Sequence, residues 1–99
     1  MNILKGNSKR PRCVAFRSNR YITGQFVDDE KNVTLFSKST KMIEGKQKPT
    51  EKAKILGQEL AKLAKSKKIN AIVFDRNGAK YHGQIKSLAE GLREEGMEF

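Results

Sequence analysis

The chain has 99 residues, which is enough for one domain with a single modest core. Its 21 lysine and arginine residues against 11 acidic ones imply a polyanionic partner, most often a nucleic acid and less often an anionic membrane surface. No apolar run approaches the length of a membrane span, and the single cysteine excludes an internal disulfide and a multi-cysteine metal site.

The positive charge is concentrated near the start of the chain. Residues 1–27 contain six cations and no acid, whereas residues 84–99 contain two cations and four acids. A surface that serves only solubility mixes positive and negative charges, so the absence of acids from residues 1–27 predicts a binding face. Cys13 lies in an apolar context there and is predicted to be a small buried hydrophobe in a reducing compartment.

Three short strands are predicted in the first half of the chain. Residues 1–9 are predicted to form a short basic flexible arm before a single domain, residues 10–99. The first strand covers residues 13–17 and alternates weakly, the second covers residues 21–28, and the third covers residues 32–38. Because short polar turns join them, an antiparallel meander is predicted.

The second strand has the clearest alternation. One side carries Ile22, Gly24 and Phe26, and the residues between them face the other way. Gly24 weakens the strand and suggests a bulge or the close approach of another backbone.

A long helix is predicted next, with Thr50 as its N-cap and Asn70 at its end. Its apolar face includes small residues such as Gly57, which allow close packing against a sheet. The lysines elsewhere on the helix favour a solvated surface over an RNA contact; these are Lys54, Lys62, Lys65 and Lys68.

A buried strand at residues 71–74 and a second helix at residues 83–95 complete the prediction, with Gly96 as C-cap and Met97 and Phe99 on the core. The fold class is α/β (α+β), in the order β-β-β-α-β-α. The crossover helix predicts a mixed sheet, in which one parallel strand joins the meander through a right-handed connection. Both helices would cover one sheet face, which leaves the opposite face available to a ligand; that face is predicted to carry Arg17, Tyr21 and Gln25.

The loop between the fourth strand and the second helix holds a cluster of polar and basic residues. Asn77 and Gly78 tolerate a positive φ, and a helix N-terminus follows, which favours an anion such as a nucleic-acid phosphate. The cluster comprises Arg76, Lys80, Tyr81 and His82. The alternatives are a plain turn with solvated cations and, for His82, simple packing against Tyr81. Asp75 suggests acid/base chemistry, but a structural role in the turn is favoured.

Two long motifs are similar to a known family. The segment RPRCVAFRSNRYITGQ at residues 10–25 and the segment FDRNGAKYHG at residues 74–83 resemble those of large-subunit ribosomal protein eighteen, bacterial type. Residues 27–29 and 34–40 are similar to the segment that follows the first motif, and GMEF at residues 96–99 resembles the usual ending. The resemblance covers about residues 9–99 in the expected order.

The resemblance implies a structural constituent of the large ribosomal subunit, with no catalytic activity, cofactor or metal. Its implied partners are 5S rRNA, 23S rRNA in the central protuberance and neighbouring ribosomal proteins, and its location is the ribosome, cytoplasmic or organellar. The RNA contacts that it implies are Arg10, Arg12, Arg17, Ser18, Asn19, Arg20, Tyr21, Gln25, Arg76, Lys80, Tyr81 and His82. Residues 1–9, with two lysines, stand where the family usually carries a longer, arginine-rich extension.

Two other classes compete with RNA binding. A three-strand meander followed by αβα also resembles the ribonuclease H-like arrangement, which needs several carboxylates around Mg²⁺. The first strand has no acid, and residues 28–30 are predicted to lie in a hairpin away from Asp75. A basic membrane-surface protein is the third hypothesis, but neither predicted helix pairs aromatic residues with a basic face.

Overall fold

The computed structural model describes residues 6, 9–18, 21–77 and 83–99. Within them, four strands, two α-helices and one short 3-10 helix follow the order β-β-β-η-α-β-α. The strands are β1 (Arg12–Arg17), β2 (Ile22–Asp28), β3 (Val33–Ser39) and β4 (Val73–Asp75), and the helices are α1 (Pro49–Ser66) and α2 (Gln84–Glu94). The 3-10 turn at Thr40–Met42 lies between β3 and α1. No helix in these described ranges is long and apolar enough to cross a membrane.

The strands form one mixed sheet in the order β3-β2-β1-β4. β1 pairs with β2, and β2 with β3, in antiparallel fashion, while β4 pairs with β1 in parallel. The predicted meander and the predicted parallel strand are therefore confirmed. The hairpin between β2 and β3 is shaped by Asp28, whose side chain accepts hydrogen bonds from the backbone N–H groups of Glu30 and Lys31.

Both helices cover the same face of the sheet, as the apolar stripes predicted. A Cβ atom at Gly24 in β2 would overlap the Leu60 side chain of α1 and contact Leu88 of α2. The sequence predicted a bulge or the approach of another backbone at Gly24, and the close neighbour is instead the Leu60 side chain. The bulge in this part of the sheet lies between Phe26 and Val27.

The two helices touch at the backbone level. A Cβ added to Gly57 would overlap the main chain of α2 near Leu88, and one added to Gly91 would overlap the main chain of α1 near Lys54. The small face of α1 therefore permits contact with α2, and not only with the sheet as predicted. Two glycines without side chains let the helix axes come closer than ordinary side chains allow.

The ends of the helices differ in how well the sequence predicted them. α1 begins at Pro49 with Lys48 as its N-cap, so the prediction of Thr50 as N-cap was wrong; proline suits the first helical position because its missing N–H needs no partner. α1 also ends earlier than predicted, at Ser66. α2 ends at Glu94 with Glu95 as its C-cap, one residue before the predicted positions. Gly96 follows with a φ of +89°, and Met97 N donates to Leu92 O at 3.0 Å, the pattern of a Schellman motif.

β4 differs from the predicted buried strand at residues 71–74. It covers Val73–Asp75, lies at the edge of the sheet, and its three residues are only partly buried. Ala71 instead forms a bridge with Glu98, and Ile72 N donates to Glu98 O at 2.9 Å. The last residues of the chain therefore lie beside the segment that leads into β4. Met97 and Phe99 contact the core, as predicted.

Candidate nucleic-acid interface

The sheet face opposite the helices is open. Residues paired across an antiparallel ladder share a face, so the pairs Val14–Gln25 and Phe16–Thr23 lie on the same side. Phe16 exposes 37% of its surface there, and Tyr21, which directly precedes β2, exposes the same fraction. Two exposed aromatic rings beside polar side chains match the composition of surfaces on which unpaired bases stack. Sequence reasoning missed Phe16, because the weak alternation of β1 concealed which side it faces.

Arg17 does not lie on this open face. It pairs with Ile22, which is fully buried beneath the helices, so the two residues point to the helix-covered side of the sheet. The prediction that placed Arg17 together with Tyr21 and Gln25 on one face was therefore wrong. Arg17 is nevertheless exposed, because it is the last residue of β1 and lies beyond the cover of the helices.

The turn between β1 and β2 is held by Ser18 and Tyr21. Ser18 N donates to Tyr21 O at 2.8 Å, and Tyr21 N lies 3.4 Å from Ser18 Oγ. The backbone at Ser18 is thus held next to Tyr21 at the start of β2. The predicted contacts Asn19 and Arg20 lie outside the described residues.

Gln25 contributes to the open face through a cross-strand contact. Its Nε2 atom donates to Thr34 Oγ1 of β3 at 2.8 Å. This hydrogen bond fixes the orientation of the amide, which presents a polar group of defined geometry on the open face.

Arg12 is held by two carboxylates of the protein itself. Its Nε and Nη2 atoms donate to Asp29 at 3.0 Å each, and Nη1 donates to Asp75 Oδ2 at 2.8 Å. Hydrogen bonding to Asp29 is the largest influence and, with the contribution of Asp75, raises the pKa of Arg12. Arg12 therefore joins three segments of the fold, since its guanidinium is hydrogen-bonded to both carboxylates.

The same contacts decide the role of Asp75. It accepts from Arg12 and, through Oδ1, from Asn77 N at 2.8 Å, where Asn77 has a φ of +52°. This is the structural role in the turn that the sequence favoured, and Arg12 is an additional partner. Asp29, predicted to lie away from Asp75, approaches it on the other side of the same guanidinium. In the described part of the chain, no group of three or more His, Cys, Asp or Glu residues is arranged to hold a metal ion.

A cavity of about 390 Å³ lies along the outer edge of β4. Arg10 and Arg76, two predicted RNA contacts far apart in sequence, line the same cavity. It is also lined by Arg93 of α2 and by the rings of Phe74 and Phe99. Sequence reasoning did not include these last three residues among the contacts, because only the folded chain brings them to one edge.

The loop that follows Asn77 is described only at its ends. Lys80, Tyr81 and His82 lie outside the described residues. Gly83, where the description resumes, has a φ of +57° and is the N-cap of α2. No side chain caps this helix end.

The exposed lysines of α1 pair with acids of α2. Lys54 Nζ lies 2.8 Å from Glu94 Oε1, which raises the pKa of Lys54 and lowers that of Glu94, and Lys62 Nζ lies 3.9 Å from Glu95. The helical layer therefore balances part of its own charge. This supports the favoured interpretation of the helix as a solvated surface, except that Lys68, with a φ of +63°, lies beyond the end of the helix.

Comparison with known proteins identifies the family. A family model described as ribosomal L18 of archaea, bacteria, mitochondria and chloroplasts matches residues 1–99. This chain belongs to the ribosomal L18 family. The resemblance that residues 10–25 and 74–83 predicted is thereby confirmed.

Several bacterial relatives align with most of this chain. A large ribosomal subunit protein uL18 of Oleidesulfovibrio alaskensis is 48% identical, with 97% of this chain and 84% of that protein covered. The protein of the same name from Nitratidesulfovibrio vulgaris strain DP4 is 47% identical with the same coverage. That of Brachyspira hyodysenteriae is 46% identical, with 97% of this chain and 82% of the relative covered.

Proposed function

We propose that this L18 family member is a structural constituent of the large ribosomal subunit, where it binds 5S rRNA and helps to attach it to 23S rRNA in the central protuberance. The observation that carries the proposal is the match to the family over residues 1–99, together with relatives named large ribosomal subunit protein uL18. Neighbouring ribosomal proteins are its further partners. The ribosome, cytoplasmic or organellar, is its location, and its role requires no catalysis.

The geometry of the open face and of the neighbouring strand ends suits RNA with unpaired bases. Phe16 and Tyr21 offer exposed rings for stacking, and Gln25 offers an oriented amide for base edges. Arg17 and Arg76 are exposed near the carboxyl ends of the parallel strands β1 and β4, where their guanidinium groups can bind phosphates in bidentate fashion. RNA binding by stacking and phosphate contact is therefore the chemistry that these residues support best.

Competition between RNAs tests the proposal. We expect the protein to bind folded 5S rRNA more tightly than a random RNA duplex of equal length at the same salt concentration, since shape and splayed bases add to the phosphate attraction. The measurement is a pair of titrations at two salt concentrations. Equal affinity for both RNAs would mean that the protein binds polyanions without preference, which would contradict the proposal.

Recovery of the native partner provides a second test. We expect 5S rRNA, free or within large subunits, to co-purify with the protein from cells. The ribonuclease H-like alternative gains no support from the family match, and metal-dependent cleavage of labelled 5S rRNA that is abolished by Asp75→Asn would restore it.

A further inference from the structure

We infer that the cavity at the edge of β4 binds one splayed-out nucleotide of a single-stranded RNA segment. The cavity is separate from the open sheet face, because Phe74 pairs with Cys13 and so lies on the helix-covered side. Its volume of about 390 Å³ is at the small end of ligand pockets, which suits a single nucleotide rather than a longer segment. The inference rests on the proposed function, and names a binding site for it.

Aromatic rings form the apolar part of the cavity. The rings of Phe74 and Phe99 stack with centroids 5.3 Å apart and an interplanar angle of 27°. The guanidinium carbon of Arg93 lies 4.2 Å from the centroid of the Phe99 ring, and Arg93 Nη2 donates to the main-chain oxygen of Phe99 at 3.2 Å. Phe74 and Arg93 thus cover the Phe99 ring, and a flat base can continue this stack on the outer plane of the Arg93 guanidinium.

Cations surround the same apolar surface. Arg10, Arg76 and Arg93 line the cavity from three different segments of the chain. Glu98 lies 3.6 Å from Arg10 Nη2, so one carboxylate accompanies the three arginines. Arginine suits this position because its planar group can bind a phosphate and stack on a ring at the same time.

The combination selects a nucleotide over the other anions that an arginine cluster attracts. A phosphate alone needs no aromatic surface, and an acidic peptide offers no flat ring to extend the Phe74–Phe99 stack. A base within a regular duplex is already stacked between its neighbours and does not reach into a cavity of this size. The ligand class is therefore an unpaired nucleotide, with its base on the Arg93 guanidinium that covers Phe99 and its phosphate beside Arg10 and Arg76.

Nuclear magnetic resonance of the whole protein tests this inference without 5S rRNA. The ring resonances of Phe74 and Phe99 are followed while hexauridylate, a blunt-ended RNA duplex or a glutamate-rich peptide is added at the same salt concentration. We expect saturable shifts with hexauridylate only. Arg93→Gln should weaken hexauridylate binding about fivefold or more, and Arg76→Gln, at an exposed position, provides a second variant if Arg93→Gln unfolds. Lys86→Gln removes the same charge from an exposed position of α2 and should change the affinity less than twofold.

The possible results test the nucleotide site and the proposed function independently of each other. Unchanged ring resonances of Phe74 and Phe99 in a protein that binds 5S rRNA normally would contradict the nucleotide site but not the proposed function. Ring shifts caused by the duplex or the peptide instead of hexauridylate would have the same meaning. Equal losses of hexauridylate affinity in Arg93→Gln and Lys86→Gln would mean that binding depends only on diffuse charge, which would also contradict the nucleotide site. Ring shifts with hexauridylate in a protein that ignores 5S rRNA would overturn the proposed function and leave the nucleotide site intact.

Discussion

Arg12 joins three parts of the fold through one guanidinium group. It belongs to β1, Asp29 follows β2, and Asp75 ends β4. The exposed fractions of the three side chains are 25%, 20% and 19%, so the cluster is shielded from water on most sides. An arginine predicted from sequence to contact RNA thus also has a structural role, because it joins β1 to the residue that follows β2 and to the residue that ends β4.

We expect Arg12→Ala to destabilise the fold by about 2 kcal/mol, because the change removes three charge-assisted hydrogen bonds to partly buried carboxylates. Urea unfolding of the variant beside the wild type measures this. Arg17→Ala is the matched control, and as an exposed substitution it should stay within about 0.5 kcal/mol. If Arg12→Ala unfolds at the same urea concentration as the wild type, the cluster contributes nothing to stability.

Cys13 provides a prediction about pH. Full burial, with a smaller contribution from Asp75, raises the pKa of its thiol above the ordinary value of 9.0. Above that value the unfolded chain loses the thiol proton while the folded chain keeps it, so stability falls as pH rises, by about 1.4 kcal/mol per pH unit. Below it, the thiol contributes no pH dependence.

Unfolding curves recorded between neutral and alkaline pH test this prediction against Cys13→Ala. The variant lacks the thiol, so the difference in stability between the two proteins should shrink above the ordinary thiol pKa. A thiol reagent should also label the wild type only after unfolding. Rapid labelling of the folded protein, or parallel pH profiles, would contradict the burial of Cys13.

At the scale of elements, the contact between α1 and α2 depends on two glycines. Gly57 and Gly91 face the backbone of the opposite helix, where a Cβ atom has no room. Alanine is the better helix former by about 1 kcal/mol, so propensity alone predicts that a change to alanine stabilises the protein. The packing predicts that the same change destabilises the protein, since separation of the helices disturbs the core beneath them.

We therefore expect Gly91→Ala to destabilise the protein by roughly 1–3 kcal/mol, the usual cost of overpacking. Thermal melting measures the effect. Lys62→Ala is a control on the outer surface of the same helix pair, where the side chain is 68% exposed, and it should change stability little. A gain in stability for Gly91→Ala would mean that the helices are less tightly packed than the structure shows.

At the scale of the whole molecule, charge is distributed between two sides. The acids of α2 pair with lysines of α1, as Lys54–Glu94 and Lys62–Glu95 illustrate. Arg17 and Arg76 are exposed away from these pairs, near the strand ends. A polyanion should therefore approach the strand-end side rather than the helical layer.

Titration of 5S rRNA with single variants tests this orientation. Arg17→Ala, Arg20→Ala and Arg76→Ala should each cost roughly 1–3 kcal/mol of binding free energy, whereas Lys62→Ala and Lys65→Ala should cost less, because their diffuse attraction is screened by salt. Melting curves of the same variants check that folding is intact. Equal losses in the lysine variants would place the RNA on the helical layer, and unfolding of the arginine variants would assign those residues a structural role.

The sequence by itself determined the local elements and the family. The alternation of β2, the apolar stripes of the two helices and the glycine after α2 depend on residues close together in the chain, so their structure follows from periodicity and capping. The motifs at residues 10–25 and 74–83 are long enough to indicate the family without any contact between them. The parallel position of β4 also followed, because a helix crossover restricts how two strands can pair.

Only the tertiary structure decided which surface each described candidate residue occupies and which residues of the protein it contacts. Arg12 meets Asp75 across 63 positions of sequence, and no local pattern encodes a partner at that distance. The weak alternation of β1 left the side of Arg17 undetermined until its register with Ile22 fixed it. The cavity at β4 joins Arg10, Arg76 and Arg93 from three segments, because the position of a side chain on the surface depends on how whole elements pack together.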